Sequence, residues 1–171
     1  GSRYNFEKTK WFNQQHLRLK SAKQILKNIK FPENIKEDYL LKVVDLVKER
    51  CVFYKDFLSE STYLFSSPES YEKEAVQKKW TIESVSHLLS IKTKLSLCDD
   101  FSKENLEIIF KNYLESSNIG FGKAMPGLRI SITGRMQGPS MFSIMNLLGK
   151  DEVLARIEKA IKELGNGEDY S

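Results

Sequence analysis

The chain has 171 residues, 40% of them hydrophobic and 29% charged, enough to bury a real core in one or two domains of roughly 100 to 200 residues each. Two cysteines, Cys51 and Cys98, and two histidines, His16 and His87, exclude a disulfide framework and leave no metal-ligand spacing, a usage that suits a reducing, cytoplasmic compartment. The net charge of +4 hides an asymmetry, because residues 1–50 carry 12 Lys and Arg against 6 Asp and Glu while the rest carry 15 against 17.

Nine Gly and four Pro are too few for the closely spaced turns of a sandwich or barrel, so helix is favoured before any periodicity is counted. No apolar run approaches the roughly 18 residues of a spanning helix, and a soluble chain with no membrane contact is expected. The opening Gly1-Ser2 reads as a tag remnant. Over residues 10–29, Trp11, Phe12, His16, Leu17, Ile25, Leu26 and Ile29 keep helical spacing. This predicts one helix, with Trp11 and Phe12 in the core, halted by Phe31-Pro32. A second helix runs from Ile35 through Tyr39, Val43, Val44 and Val47, with Glu37 and Asp38 in its first turn and Lys48 and Arg50 in its last. Between Cys51 and Phe65 the aromatics Phe53, Tyr54, Phe57, Tyr63 and Phe65 crowd together, which fits short helical turns.

Ser67-Pro68 reads as a cap followed by Pro at the first helical position, opening a helix towards Trp80. Thr81 and Ser102 then cap two longer helices, the second of which stops before Asn118-Ile119-Gly120. Residues 120–138 defeat periodicity: Leu128, Ile130 and Ile132 alternate like a strand, while Met125, Leu128 and Ile132 also keep helical spacing. Residues 140–148 form one more apolar stretch, with Phe142 and Leu147 expected in the core, and Gly149 precedes a last helix that stops at Gly165. The reading is all-α, with seven or eight helices in two packed subdomains, residues 1–65 and 66–171.

The motifs of chemistry are missing. There is no Gly-rich phosphate loop after a strand, no nucleophile elbow, and no His or Cys in a catalytic constellation. The histidines read as half-buried packing residues and the cysteines as small buried hydrophobes. One stretch is out of the ordinary: between Glu115 and Asp151 no acidic residue occurs, while Lys123, Arg129, Arg135 and Lys150 do. With the basic N-terminal third, this suggests a surface that meets an anion.

Three passages resemble one family. Lys8-Thr9-Lys10-Trp11-Phe12-Asn13 through Arg18 is similar to the passage that follows the active-site signature of the glutamyl-tRNA synthetases, although Thr9 and His16 depart from it. Leu46 to Arg50 resembles the turn opening its anticodon-binding region. The most specific match is Leu128-Arg129-Ile130-Ser131-Ile132-Thr133-Gly134, then Gly138-Pro139-Ser140-Met141-Phe142 and Leu147-Leu148-Gly149-Lys150. The resemblance covers nearly the whole chain and implies the C-terminal, anticodon-binding half of such an enzyme. It also implies that residues 120–135 are helical, with Pro126 near the first turn.

That resemblance implies a glutamate-accepting tRNA as partner, together with the missing catalytic domain of the same chain. ATP and Mg would serve that absent half in forming glutamyl-adenylate, and this part would hold no cofactor or metal and do no catalysis alone. By similarity, Arg129 matches an arginine that contacts the anticodon, Pro139 the family's proline, and Met141 an apolar residue touching a base. Gly138 stands where a small polar residue is usual, and Arg50 matches an arginine that reads the third anticodon base. Unstacked bases are read by hydrogen bonds to their edges and by contact with their faces. Arg129 and Arg135 supply guanidinium forks, and Gly138-Pro139 is expected to begin a helix with free amides. Each residue has a plainer alternative: Arg50 as a cap on helix carbonyls, Arg129 as an internal ion pair, and Pro139 and Met141 as helix start and core. Two rival functions are a protein-docking module built on the aromatics of residues 53–65 and a general RNA-binding bundle.

Overall fold

A computed structural model describes residues 2–167, so Gly1 of the supposed tag remnant lies outside the described residues. Those residues contain ten α-helices and no strand, an all-α fold. The chain divides into two compact units, Gly1–Phe65 and Ser66–Ser171.

In the first unit, the single helix expected over residues 10–29 is two: α1 (Ser2–Leu19) and α2 (Ala22–Leu26). Ser21 makes the break. Its backbone is extended, its Oγ accepts from the Gln24 amide at 3.2 Å, and its own amide donates to Gln24 Oε1 at 2.9 Å. This capping box satisfies two amide groups that a new helix start leaves open. Trp11 and Phe12 are 57% and 54% exposed, which corrects their expected place in the core. Among the described side chains of α1 only Leu17 is buried. The core forms around α3 (Glu37–Val47), whose Val43, Val44 and Val47 are fully buried with Ile25 of α2 and Phe57 of α4 (Tyr54–Ser61). A 3-10 turn, Lys48–Arg50, extends α3, and the Asp56 carboxylate opens α4 by accepting from the amides of Val52 and Phe53 at 2.9 and 2.8 Å. Phe65 closes this unit with its ring 5.4 Å from Phe31 and 6.1 Å from Tyr39.

The second unit contains α5 (Lys73–Lys79), α6 (Ile82–Leu97), α7 (Lys103–Ser117), α8 (Phe121–Thr133), α9 (Met141–Leu148) and α10 (Lys150–Leu164). The helix expected from Pro68 begins only at Lys73, because the segment before it is committed to tertiary bonds. The Glu72 amide donates to the Gly134 carbonyl at 2.9 Å, and the Pro68 carbonyl accepts from Lys159 Nζ at 2.6 Å. Thr81 and Ser102 do cap α6 and α7 through the amides of Ser84 and Asn105. Asn118 ends α7 in the left-handed region.

Residues 121–133 are helical, which settles the ambiguous stretch. This helix packs on α5, α6 and α10, and Leu128, Ile130 and Ile132 are all fully buried. A helix surrounded on most sides carries no single apolar stripe, so its spacing mimics a strand. Gly127 faces Ser84 of α6, and a Cβ there would lie in contact with Ser84 Cβ at 3.4 Å. Pro126 is the sixth residue of the helix rather than part of its first turn, and it removes the amide that would serve the Gly122 carbonyl. Phe142 and Leu147 of α9 are half-buried rather than full core. Arg156 of α10 is 2% exposed, paired with Glu152 at 2.8 Å and donating to the Ile132 carbonyl at 2.8 Å.

Candidate nucleic-acid interface

The acid-free stretch folds into α8, a turn over residues 134–140, and α9. Gly134 reverses the chain at the end of α8 with φ +75°, and its amide still bonds back to Ile130 at 2.8 Å. The Arg135 amide donates to Thr133 Oγ1 at 3.1 Å, and that hydroxyl lies 2.8 Å from the Arg129 carbonyl. Arg129 reaches across the turn, one guanidinium nitrogen donating to the Pro139 carbonyl at 2.8 Å. That bond holds the two ends of the turn together and takes up one edge of the fork. Arg135, Gly138 and Pro139 thus lie on one half-exposed loop, and the half-buried Arg129 reaches it from α8.

Two expectations need correction here. Gly138 and Pro139 do not begin a helix; α9 starts at Met141, after an extended Ser140, so the free amides belong to the start of α9. Met141 is 1% exposed, so its side chain is core and offers no platform to a base. Arg50 lies in the first unit at the end of its 3-10 turn, where its Nε meets Glu60 Oε2 at 3.1 Å. Its side chain is 33% exposed, so its partner is an acid rather than the helix carbonyls.

Of the other cations in the acid-free stretch, Lys150 is committed to the Cys98 carbonyl at 2.8 Å. Lys123 lies at the opposite end of α8, in an open groove of about 580 Å³ shared with Lys78, Lys79, Thr81, Glu83 and Ser84. The sequence reading missed this groove, although the adjacent Lys78 and Lys79 ahead of Trp80 are its visible trace. It also missed Glu72, whose Oε2 accepts from the Met136 amide at 2.9 Å.

Neither cysteine is held as a thiolate. Burial, with Asp56 and Glu60 nearby, pushes the Cys51 thiol up to about 12, and burial also raises Cys98. His87 hydrogen-bonds the Tyr113 hydroxyl at 2.6 Å as a packing pair, whereas His16 is exposed instead of half-buried. Among the described residues no cluster of His, Cys, Asp and Glu could hold a metal ion.

An all-α chain with a basic, acid-free turn has clear relatives. Residues 10–161 match the family described as anticodon binding domain. The glutamate–tRNA ligase of Flavobacterium psychrophilum is 37% identical over 170 residues, covering 96% of this chain and 34% of that protein. That of Christiangramia forsetii is 36% identical over 171 residues with the same coverage. Among solved structures, a glutamate tRNA ligase from Elizabethkingia meningosepticum superposes with a TM-score of 0.82 at 33% identity, over 92% of this chain and 32% of that one. The chain therefore belongs to the anticodon binding domain family, and it spans about a third of the length of the ligases it matches.

Proposed function

We propose that this chain is the anticodon-reading part of a glutamate–tRNA ligase and that it grips the anticodon stem and loop of a glutamate-accepting tRNA. The observation that carries the reading is the turn itself: Arg129 and Arg135 stand at one end of residues 134–140, and Arg129 reaches the other end through the Pro139 carbonyl. A cationic, hydrogen-bonding loop fixed from both ends suits bases presented unstacked, because the fork keeps its aim when the base arrives. Arg129, Arg135, Gly138 and Pro139 are the proposed contacts in residues 66–171, the C-terminal anticodon-binding subdomain. Arg50 is the proposed contact in residues 1–65, the stem-contact and first anticodon-binding subdomain, and reaching a base requires it to leave Glu60. Met141, buried in the core, is not among these contacts.

The rest of the enzyme is the second partner. It supplies ATP and Mg chemistry, forming glutamyl-adenylate and transferring the glutamyl group, while this part holds no cofactor and charges no tRNA by itself. Among the described residues no helix is long and apolar enough to cross a membrane, and a cytoplasmic setting accords with ligase relatives and unpaired thiols.

Binding of tRNA transcripts that differ only in the anticodon, titrated with salt, tests the function. The expected outcome is a steep loss of affinity with salt together with a preference for the glutamate anticodon. Salt dependence without preference would leave only a general RNA binder, and neither effect would point to a protein-docking module.

A further inference from the structure

Glu72 precedes α5, far along the chain from the reading turn, yet it grips that turn twice. Its amide donates to the Gly134 carbonyl at 2.9 Å, and its carboxylate Oε2 accepts from the Met136 amide at 2.9 Å. Arg135 is the residue between those two bonded positions, so its backbone is held on both sides by one amino acid. The segment leading to Glu72 presses on the same turn, because Pro68 and Ser70 lie against Gly134 so closely that a Cβ there would sit 2.9 Å from the Ser70 carbonyl oxygen. Lys159 of α10 in turn holds the Pro68 carbonyl at 2.6 Å. Glu72 is also an acid placed against a stretch that has none of its own, and its charge is turned onto a backbone amide.

We infer that Glu72 is a positioning residue for anticodon reading: its two-sided grip on residues 134–136 fixes the direction in which Arg135, and the loop beyond it, meets the RNA. This inference rests on the anticodon-reading function proposed above. Glu72 makes no contact with RNA in this account. It acts on discrimination between bases, which depends on geometry, and leaves the salt-dependent attraction to phosphate alone. Groups that orient a binding residue often affect function far more than their own exposure suggests.

The test uses the whole 171-residue chain and two anticodon stem-loop RNAs, one with a glutamate anticodon and one altered at a single anticodon base. In wild type the ratio of the two Kd values measures discrimination. Glu72→Ala should reduce that ratio at least about fivefold, the lower end of what one good base contact contributes, with the slope of affinity against salt unchanged. Glu72→Gln, whose amide oxygen can still accept from Met136, should keep the wild-type ratio. Amide exchange at Met136 should quicken in the alanine variant and return to wild-type rates in the glutamine one.

A wild-type ratio retained by Glu72→Ala overturns the inference alone. So does a Glu72→Gln chain that loses as much as the alanine variant, since charge rather than the bond to Met136 would then be at work. If Glu72→Ala melts early, Glu72→Asp replaces it, being one methylene short of Met136 with the charge intact, and it should lose the same ratio. A wild-type chain that shows no preference between the RNAs brings down the proposed function and this inference with it.

Discussion

Arg129 has two tasks that different substitutions separate. One nitrogen of its guanidinium holds the Pro139 carbonyl, and in the proposed function the same half-buried side chain contacts the anticodon. Arg129→Ala should weaken binding of the glutamate anticodon by ~1–3 kcal/mol, the range for a good bidentate base contact, with a smaller loss on an altered anticodon. Arg129→Lys keeps the charge and can still donate to Pro139, yet it lacks the planar fork, so affinity should recover in part while discrimination does not. Titration of both variants against the two RNAs, with helical circular dichroism as the folding control, gives the answer. Equal losses on both RNAs from Arg129→Ala would assign the residue to a phosphate or to holding the turn.

At the scale of elements, the weight of the 134–140 turn falls on Gly134. Its φ of +75° is a conformation that side chains rarely adopt, and the Ser70 carbonyl stands where a Cβ would go. Gly134→Ala should lower the stability of the second unit by about 1–3 kcal/mol, the usual cost of a strained backbone position. Thermal melting followed by circular dichroism measures it, and a melting point equal to wild type would show that residues 68–70 yield without cost.

The same elements show what the sequence discloses. Helix ends governed by a local bond were legible: Thr81, Ser102 and Asn118 are read correctly because each satisfies backbone groups a few residues away. The break at Ser21 was written in the text as Ser21 and Gln24 three apart, but it lies inside an apolar pattern that spacing alone reads as continuous. The helix expected at Pro68 failed for a different reason, since residues 66–72 serve bonds to Gly134, Met136 and Lys159 that no local pattern reveals. The candidate turn stood out through its missing acids and its motif. Its orientation did not, because Glu72 and Met136 are 64 positions apart. Met141 misled because an apolar residue beside polar ones looks like a platform when it is in fact core.

Taken whole, the molecule exposes more aromatic surface at one end of its first unit than its own packing explains. Phe6, Trp11 and Phe12 are 59%, 57% and 54% exposed on α1, and positions five and six residues on point roughly 140° and 240° around a helix from the first. No single flat partner covers three such directions. Trp80, by contrast, is 4% exposed, with its indole nitrogen donating to the Gly165 carbonyl at 2.9 Å. Acrylamide should therefore quench the tryptophan emission of this chain in two populations, and Trp11→Phe should remove the readily quenched one. Uniform protection in the wild-type chain would mean that α1 is already covered, as by a second copy.

That indole bond belongs to a pattern at the border of the second unit. Gly165, just past α10, is tied to Trp80, and Lys159 is tied to Pro68, so the strand of chain that enters the unit and the helix that leaves it are laced to each other. A body whose entrance and exit lie side by side has no fixed need of its own beginning. Its two ends can be joined by a short flexible bridge and the chain reopened elsewhere, as tolerant domains allow. The bend between α6 and α7 at Asp99 and Asp100 is the natural place to reopen it. A circularly permuted second unit cut there should melt cooperatively within a few degrees of the parent unit and keep the helices that frame the reading turn. Loss of cooperative melting in that permutant would show that the order of synthesis, and not only the set of contacts, is required for this fold.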